Sequence, residues 1–349
     1  MLQTYAATSG IPWLLLLSAW TISLLVVAGV YAAWNSIGLR LVLNASGVRA
    51  ASGSPLEDLP EQLLRTAPLP AAIFEGDALD LAVGLNTTGP ARGPATVTGT
   101  VGALDITFST GIVPRGGWRS MVEIPALRRG PLSAASWEIV SGDFAGFLRV
   151  RRRCPDVEVA LVMPRFASLR ERRDVRELEA SLAAPRAGTG TELFGVREYR
   201  SGDSLRRIHW RSSARHGELV VREYEPPGLQ TLTIVLDPEP PTTEVADQIA
   251  RIAASEAWDC LREGGRVSLV APGLEPSDSP RDLWGLLEWL ARYPNGPSGP
   301  SDNLFARGQE VVLVTSRQID VPATRAWVVG EAQIDLDIPL ERVGTQWPL

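Results

Sequence analysis

Both histidines of the chain lie in one short stretch that also contains acids and serines. His209 and His216 are seven residues apart, and Asp203 precedes them. These residue types could form a Ser-His-Asp hydrolase site, in which histidine accepts the proton of a serine nucleophile. The sequence contains no G-x-S-x-G turn, no HExxH zinc motif and no GxxxxGK[ST] phosphate loop. A hydrolase or metal-dependent enzyme that uses this region together with Glu223 is therefore kept as the alternative hypothesis.

A second candidate is Asp237, an acid that directly follows a run of apolar residues. Loops of the form D-x-S-x-S bind Mg²⁺ through hard oxygen ligands. Here the stretch reads Asp237-Pro238-Glu239-Pro240-Pro241, so that glutamate and proline replace the two serines. Because proline has no side-chain ligand, we predict a degenerate metal site, no bound cofactor and a turn-capping role for the acid.

The densest set of charged side chains lies between residues 194 and 225, in the sequence FGVREYRSGDSLRRIHWRSSARHGELVVREYE. Its composition predicts a turn, a short helix over 205–214, a second turn at 216–217 and a strand from Leu219. Because so many charges need partners, we expect an arginine–carboxylate network with Trp210 packed beneath it. Arg207 and Arg211 are one helical turn apart and could instead contact a partner protein.

This stretch, here called the signature, resembles that of a bacterial family named domain of unknown function fifty-eight. The resemblance implies membrane-anchored proteins that have a von Willebrand A-like C-terminal domain and work with MoxR-type AAA+ ATPases. Two shorter elements, Arg129-Gly130 and the run 142–147, match that family more loosely. The matched signature positions that we expect to form the network are Arg197, Glu198, Tyr199, Gly202, Asp203, Arg206, Trp210, Arg215 and Glu223.

An uncharged run at the start of the chain predicts a membrane anchor. Ile11–Trp34 contains 24 residues without a charge, and about 20 apolar residues suffice to cross a bilayer. No lysine or arginine precedes the run, which argues against a signal peptide. The first arginine, Arg40, follows it, so we expect a single-pass cell-membrane protein whose C-terminal domains are cytoplasmic.

The rest of the chain predicts two folded domains of different classes. Apolar residues alternate with period two from about residue 77 to residue 139, which is typical of a β-sandwich. Later, apolar strands alternate with helical patterns, which indicates a parallel sheet. The predicted α+β organisation is a tail at 1–10, a transmembrane helix at 11–34, a linker at 35–67, a β-sandwich at 68–155, and an α/β von Willebrand A-like domain at 156–349.

Composition gives no reason to expect a nucleic-acid partner. The net charge is −6, and the two cysteines are too few for a disulfide framework. We therefore expect a non-enzymatic, membrane-anchored adaptor. Its expected partners are the lipid bilayer, through Ile11–Trp34, and a MoxR-type ATPase.

Overall fold

The computed structural model describes residue 4 and residues 12–68, 72–143, 145–169, 195–198, 220–223, 231–271, 282–294, 310–331, 334 and 336–347. The chain divides into two compact units. The first unit comprises residues 1–165 and 287–296, and the second comprises 166–286 and 297–349.

Helix α1 (Pro12–Ile37) is the expected apolar helix, and it ends three residues beyond the predicted span. The most apolar 18-residue window of this helix has a mean hydropathy of 2.2, and only 11% of that window is buried. A core helix of a soluble domain would be mostly buried, so length, composition and exposure together suit a membrane span. Towards its end the helix buries one stripe, at Ala28, Ala32, Asn35 and Ser36.

The first sheet of the first unit consists of β1 (Leu39–Arg49), β3 (Ala78–Thr87) and β6 (Trp118–Pro125), all antiparallel. Here the structure differs from the linker that we predicted at 35–67. That segment contains β1 and the single-turn helices α2 (Pro55–Asp58) and α3 (Glu61–Leu64). The reason is that alternate residues of β1 pack against the hydrophobic core, while its small polar residues resemble a linker.

The second sheet has the strand order β2-β9-β7-β4-β5, and β8 pairs with the free part of β7. Its strands share one core with the first sheet, to which Leu81, Val97 and Trp137 contribute. The predicted α/β domain included residues 157–163, but this segment, β9, pairs with β7 in the sandwich. The bounds are β2 (Ile73–Phe74), β4 (Ala95–Val101), β5 (Leu104–Thr110), β7 (Gly130–Gly142), β8 (Arg149–Arg153) and β9 (Val157–Met163).

In the second unit, a short antiparallel ribbon joins the two ends of the signature. It consists of β10 (Gly195–Glu198) and β11 (Val220–Glu223). The predicted strand at the end of the signature is therefore confirmed.

The second unit also contains the expected parallel sheet. Its strand order is β13-β12-β14-β15-β16, and every neighbouring pair is parallel. Helix α4 (Thr243–Arg262) lies between β12 and β13 in sequence and begins where the Thr242 side chain accepts a hydrogen bond from the backbone N–H of Val245. Helix α5 (Leu283–Arg292) precedes β14, and its residues from 287 cluster with the first unit. The strands are β12 (Thr231–Leu236), β13 (Arg266–Val270), β14 (Glu310–Thr315), β15 (Arg325–Val329) and β16 (Leu340–Val343).

Candidate functional site

The described residues include only the two ends of the signature. In the ribbon, Arg197 lies opposite Val221, and Glu223 lies opposite Gly195. Glu198 is also on β10. The remaining predicted residues lie outside the described residues, so the network, the partner contact and the hydrolase alternative stay predictions: Tyr199, Gly202, Asp203, Arg206, Arg207, His209, Trp210, Arg211, Arg215 and His216.

The parallel sheet has a point at which the order of its strands reverses. From β12 the chain continues to β13 on one side, and β14 then pairs with the other side of β12. In open α/β sheets, ligands bind in the crevice at the carboxyl ends of the strands at such a point. Asp237 directly follows β12, and Ser316 and Arg317 directly follow β14. These three residues therefore define the candidate site.

The carboxylate of Asp237 is fully buried, and both of its oxygens accept hydrogen bonds. Oδ2 accepts from the hydroxyl of Ser316 at 2.7 Å and from its backbone N–H at 3.2 Å. Oδ1 accepts from the backbone N–H of Glu239 at 3.0 Å, which is the turn-capping bond that the sequence predicts. The same oxygen lies 3.0 Å from Nε of Arg317.

Arg317 supplies the positive charge of the site. Its Nη1 lies 3.0 Å from Oε2 of Glu239, so that one guanidinium contacts two acids. Burial alone would lower the pKa of Arg317, but hydrogen bonds and charge interactions with Glu239 and Asp237 outweigh it and raise the pKa. The charged guanidinium compensates the charge of the buried carboxylate.

The residues of this site do not fit a divalent cation. Amide and guanidinium groups donate to the oxygens of Asp237, and neither kind of nitrogen offers a lone pair to a metal. A cation would have to displace Arg317, which already provides the opposite charge. Within the described ranges no group of three or more His, Cys, Asp or Glu side chains could hold a metal ion.

The sequence did not identify Ser316 and Arg317 as partners of Asp237, from which they are separated by almost eighty residues. The only available signal was their position, directly after the apolar run of β14. Parallel neighbours bring such strand ends together, but sequence alone does not show which strands are neighbours.

A second buried acid, Glu256, joins helix α4 to the sheet. Its two carboxylate oxygens accept from Nη1 and Nη2 of Arg325 at 2.5 and 2.8 Å. The indole N–H of Trp327 donates to the same carboxylate at 2.7 Å, and Arg325 also contacts Glu310 at 2.9 Å. Arg325 and Trp327 are two residues apart on β15, which places both on one face of the sheet. The geometry is that of a structural contact, and sequence analysis missed it.

The Arg129-Gly130 element has a structural role in the first unit. Nη1 of Arg129 donates to the carbonyl oxygens of Leu290 and Tyr293, both at 2.6 Å. Basic side chains stabilise helix C-termini by bonding these free carbonyls. Gly130 has a φ of 116°, which glycine adopts without strain.

The loosely matched run 142–147 is organised by Asp143. Its Oδ1 accepts from the backbone N–H of Leu148 at 2.8 Å, and its Oδ2 accepts from that of Ala145 at 3.2 Å. The Asp143 side chain therefore stabilises its own loop by accepting hydrogen bonds from the loop backbone.

Comparison with known proteins supports the resemblance that the signature gave. Residues 195–279 match the family model described as "Protein of unknown function DUF58". The matched range includes the ribbon, Asp237 and Glu256. The chain is also similar to "Uncharacterized protein YeaD" of Bacillus subtilis (strain 168), with 27% identity over 85 residues. That alignment covers 24% of this chain, and the chain spans about a fifth, 21%, of the relative's length.

Proposed function

We propose that this protein is a membrane-anchored, non-enzymatic adaptor that works with a MoxR-type AAA+ ATPase. The observation that carries the proposal is the state of the Asp237 site. At the position where α/β sheets bind ligands, the buried acid is neutralised by Arg317 and its oxygens are hydrogen-bonded. Because Arg317 and the hydrogen-bond donors occupy both oxygens, this carboxylate is not available to hold a substrate cation.

The second unit is proposed to have a von Willebrand A-like fold. A parallel sheet whose first strand ends in a buried acid supports this assignment. In that fold the acid would belong to a cation site, whereas here it binds an arginine of the same unit. A domain of this kind would present a surface to a protein without the help of a metal.

Helix α1 is proposed to hold the protein in the cell membrane with its C-terminal units in the cytoplasm. The helix is uncharged, and Arg40, Arg49 and Arg65 all follow it. Positive residues next to a span favour the cytoplasmic side.

The identity of the partner is taken from the family resemblance. The match over residues 195–279 strengthens that resemblance, and the described ribbon brings the two ends of the signature together. Arg207 and Arg211 are the residues that we propose to contact the ATPase.

The direct test is capture of the ATPase by the full chain in lipid nanodiscs. The MoxR-type ATPase from the same genome would be added with ADP, with a non-hydrolysable ATP analogue, or without nucleotide. We expect capture that depends on the nucleotide, since AAA+ proteins change conformation with nucleotide state. No capture in any state, together with a hydrolytic activity that His209→Ala abolishes, would favour the enzyme alternative.

A further inference from the structure

The end of helix α1 is fixed to the first unit by polar contacts. The side chain of Asn35 is fully buried, donates to the carbonyl oxygen of Gly142 at 3.2 Å and accepts from the N–H of Gly93 at 2.8 Å. Arg92 donates to the carbonyl oxygen of Trp34 at 2.8 Å, and its guanidinium lies 3.7 Å from the centre of the Trp34 ring. The depth of α1 in a bilayer therefore sets the depth of the adjoining loops.

The loop between β7 and β8 reaches along the helix into its apolar part. A methyl group on Gly29 would lie 3.6 Å from Cδ1 of Leu148. Gly29 precedes the end of the helix by eight residues, or about 12 Å along its axis. A hydrocarbon core of about 30 Å needs about 20 helical residues, which from Pro12 reach to Tyr31. Leu148 thus lies at the level where the hydrocarbon meets the headgroups.

Two large apolar side chains are exposed beside this end of the helix. Phe147 precedes Leu148 and is 63% exposed, and Ile112 is 65% exposed. Ile112 is next to Val113, whose backbone pairs with that of Arg92, the residue that contacts Trp34. Single exposed apolar residues are ordinary, but these two lie on neighbouring loops beside a membrane-type helix. An interfacial environment would remove both from water.

A cleft of about 440 Å³ separates the two loops. Its lining includes Arg149 and the hydroxyl-bearing residues Ser109, Thr110 and Ser141. Ser141 is 1% exposed, and its Oγ has no hydrogen-bond partner among the described residues. The one acid of the lining, Asp143, already accepts two backbone N–H groups. Ser109 and Thr110 already bond the hydroxyl of Thr96 and the carbonyl oxygen of Ile112, both at 3.0 Å. Arg149 and Ser141 are therefore the groups that remain to bind a phosphate.

We propose that the loops around Ile112 and Phe147 lie in the bilayer interface and that the cleft between them binds the phosphate headgroup of an anionic phospholipid. We call these two loops and the cleft the membrane foot. The proposal rests on α1 crossing the bilayer, as in the proposed function. The foot adds a second contact with the membrane and holds the first unit in a defined orientation on its surface.

The test places a fluorescent amino acid by amber suppression in the full chain, reconstituted in nanodiscs that contain phospholipid with a nitroxide on the upper acyl chain. The probe replaces Phe147 or Ile112 in the foot, Trp20 in α1, or Leu127 as the matched control. Leu127 is 70% exposed in the same unit, next to the opposite end of β7. All four side chains are exposed, so that the probe is expected to leave the fold intact.

We expect lipid-borne nitroxide to quench the probe at positions 147, 112 and 20 at least about threefold more than at 127. Quenching at position 20 without quenching at positions 147 and 112 would contradict the proposed membrane foot but would still support a membrane-spanning α1. Absence of quenching at position 20 would show that α1 does not cross the bilayer, and the proposed membrane foot would then be wrong as well. Equal quenching at 127 would show that the unit touches lipid non-specifically and would also contradict the proposal.

A second arm tests the headgroup. Bound phosphatidylglycerol would be counted by native mass spectrometry after release from nanodiscs that contain equal amounts of phosphatidylglycerol and phosphatidylcholine. One basic group near an anionic surface accounts for about fivefold in binding, so Arg149→Gln is expected to lower retention of one phosphatidylglycerol by about that factor. Arg153→Gln is the control, because Arg153 lies on the same strand but pairs with Glu138 at 3.1 Å. Equal retention by both variants would rule out the cleft as the headgroup site.

Discussion

Single residues explain how this protein stabilises two buried acids. Asp237 and Glu256 are both fully or almost fully buried. Each is matched by one arginine and by further hydrogen-bond donors, Ser316 for the first and Trp327 for the second. Removing one partner of a buried pair is costly because the other charge is left without compensation. These contacts are therefore expected to determine stability.

The Glu256 contact gives the first prediction. We expect Glu256→Gln to lower the free energy of unfolding by about 1–3 kcal/mol, since it removes the bidentate partner of Arg325 and leaves Glu310 as the remaining acid beside it. The matched control is Glu61→Gln. Glu61 also pairs with an arginine, Arg65 at 2.7 Å, but both side chains are more than 70% exposed, and such pairs contribute only about 0–1 kcal/mol. Chemical denaturation of both variants measures the difference, and equal losses would refute it.

The Asp237 site gives a prediction about metal binding. Because Arg317 already compensates the acid, titration calorimetry of the wild-type protein with Mg²⁺ or Mn²⁺ should show no tight binding. Arg317→Ala should gain measurable Mn²⁺ affinity, as it uncovers two carboxylates, Asp237 and Glu239. A low-micromolar dissociation constant in the wild type would mean that other residues form a cation site, and the enzyme alternative would then be reopened.

At the scale of elements, apolar periodicity predicted individual strands and helices. It did not predict which strands, distant in sequence, pair in the same sheet. The strands β3, β4 and β5 and the helix α4 were predicted because their apolar residues follow a period of two or of about 3.6. β1 was mistaken for a linker because Ser and Gly interrupt its alternation from residue 44 onward. β9 was assigned to the wrong sheet, since an apolar run fits a sandwich strand as well as a parallel one.

The same reasoning applies to the candidate site. The sequence identified Asp237 and its capping role from a local pattern. It could not identify Arg317, because that contact depends on β14 pairing directly with β12. Long-range strand order is not encoded in any single stretch of residues.

The contact between α1 and the first unit gives a prediction at this scale. Asn35→Ala would leave the N–H of Gly93 and the carbonyl of Gly142 without their partner. A buried polar group without a partner costs about 1–3 kcal/mol, so the melting temperature in nanodiscs should fall by several degrees. Asn44→Ala, at an exposed position of β1, is the control and should melt like the wild type. Identical melting of the two variants would show that the helix end is not held by Asn35.

At the scale of the whole molecule, the chain divides into two compact units, and the uncharged helix α1 belongs to the first of them. The compact units do not follow the predicted domain limits exactly, because β9 and residues 287–296 belong to the first unit. The order of apolar helix, sandwich and parallel sheet along the chain is nevertheless the one that the periodicities indicate.

The orientation of the chain in the membrane is the prediction that belongs to this scale. Arg40, Arg49 and Arg65 follow α1, which favours a cytoplasmic C-terminus. A green fluorescent protein fused after Leu349 should fluoresce, whereas alkaline phosphatase fused at the same position should be inactive. Active phosphatase would place both units outside the cytoplasm and would exclude a cytoplasmic ATPase as partner.

An affinity measurement tests most directly whether the protein is an adaptor whose signature contacts the ATPase. The full chain in nanodiscs would be titrated with the purified MoxR-type ATPase in its ATP-analogue state. We predict saturable binding that Arg207→Glu/Arg211→Glu weakens at least about tenfold, because close charge pairs at interfaces contribute more than about 1.5 kcal/mol. Arg65→Glu/Arg119→Glu changes the net charge equally at exposed positions and should bind like the wild type. Equal affinity of the two double variants, or no binding by the wild type, would contradict the account.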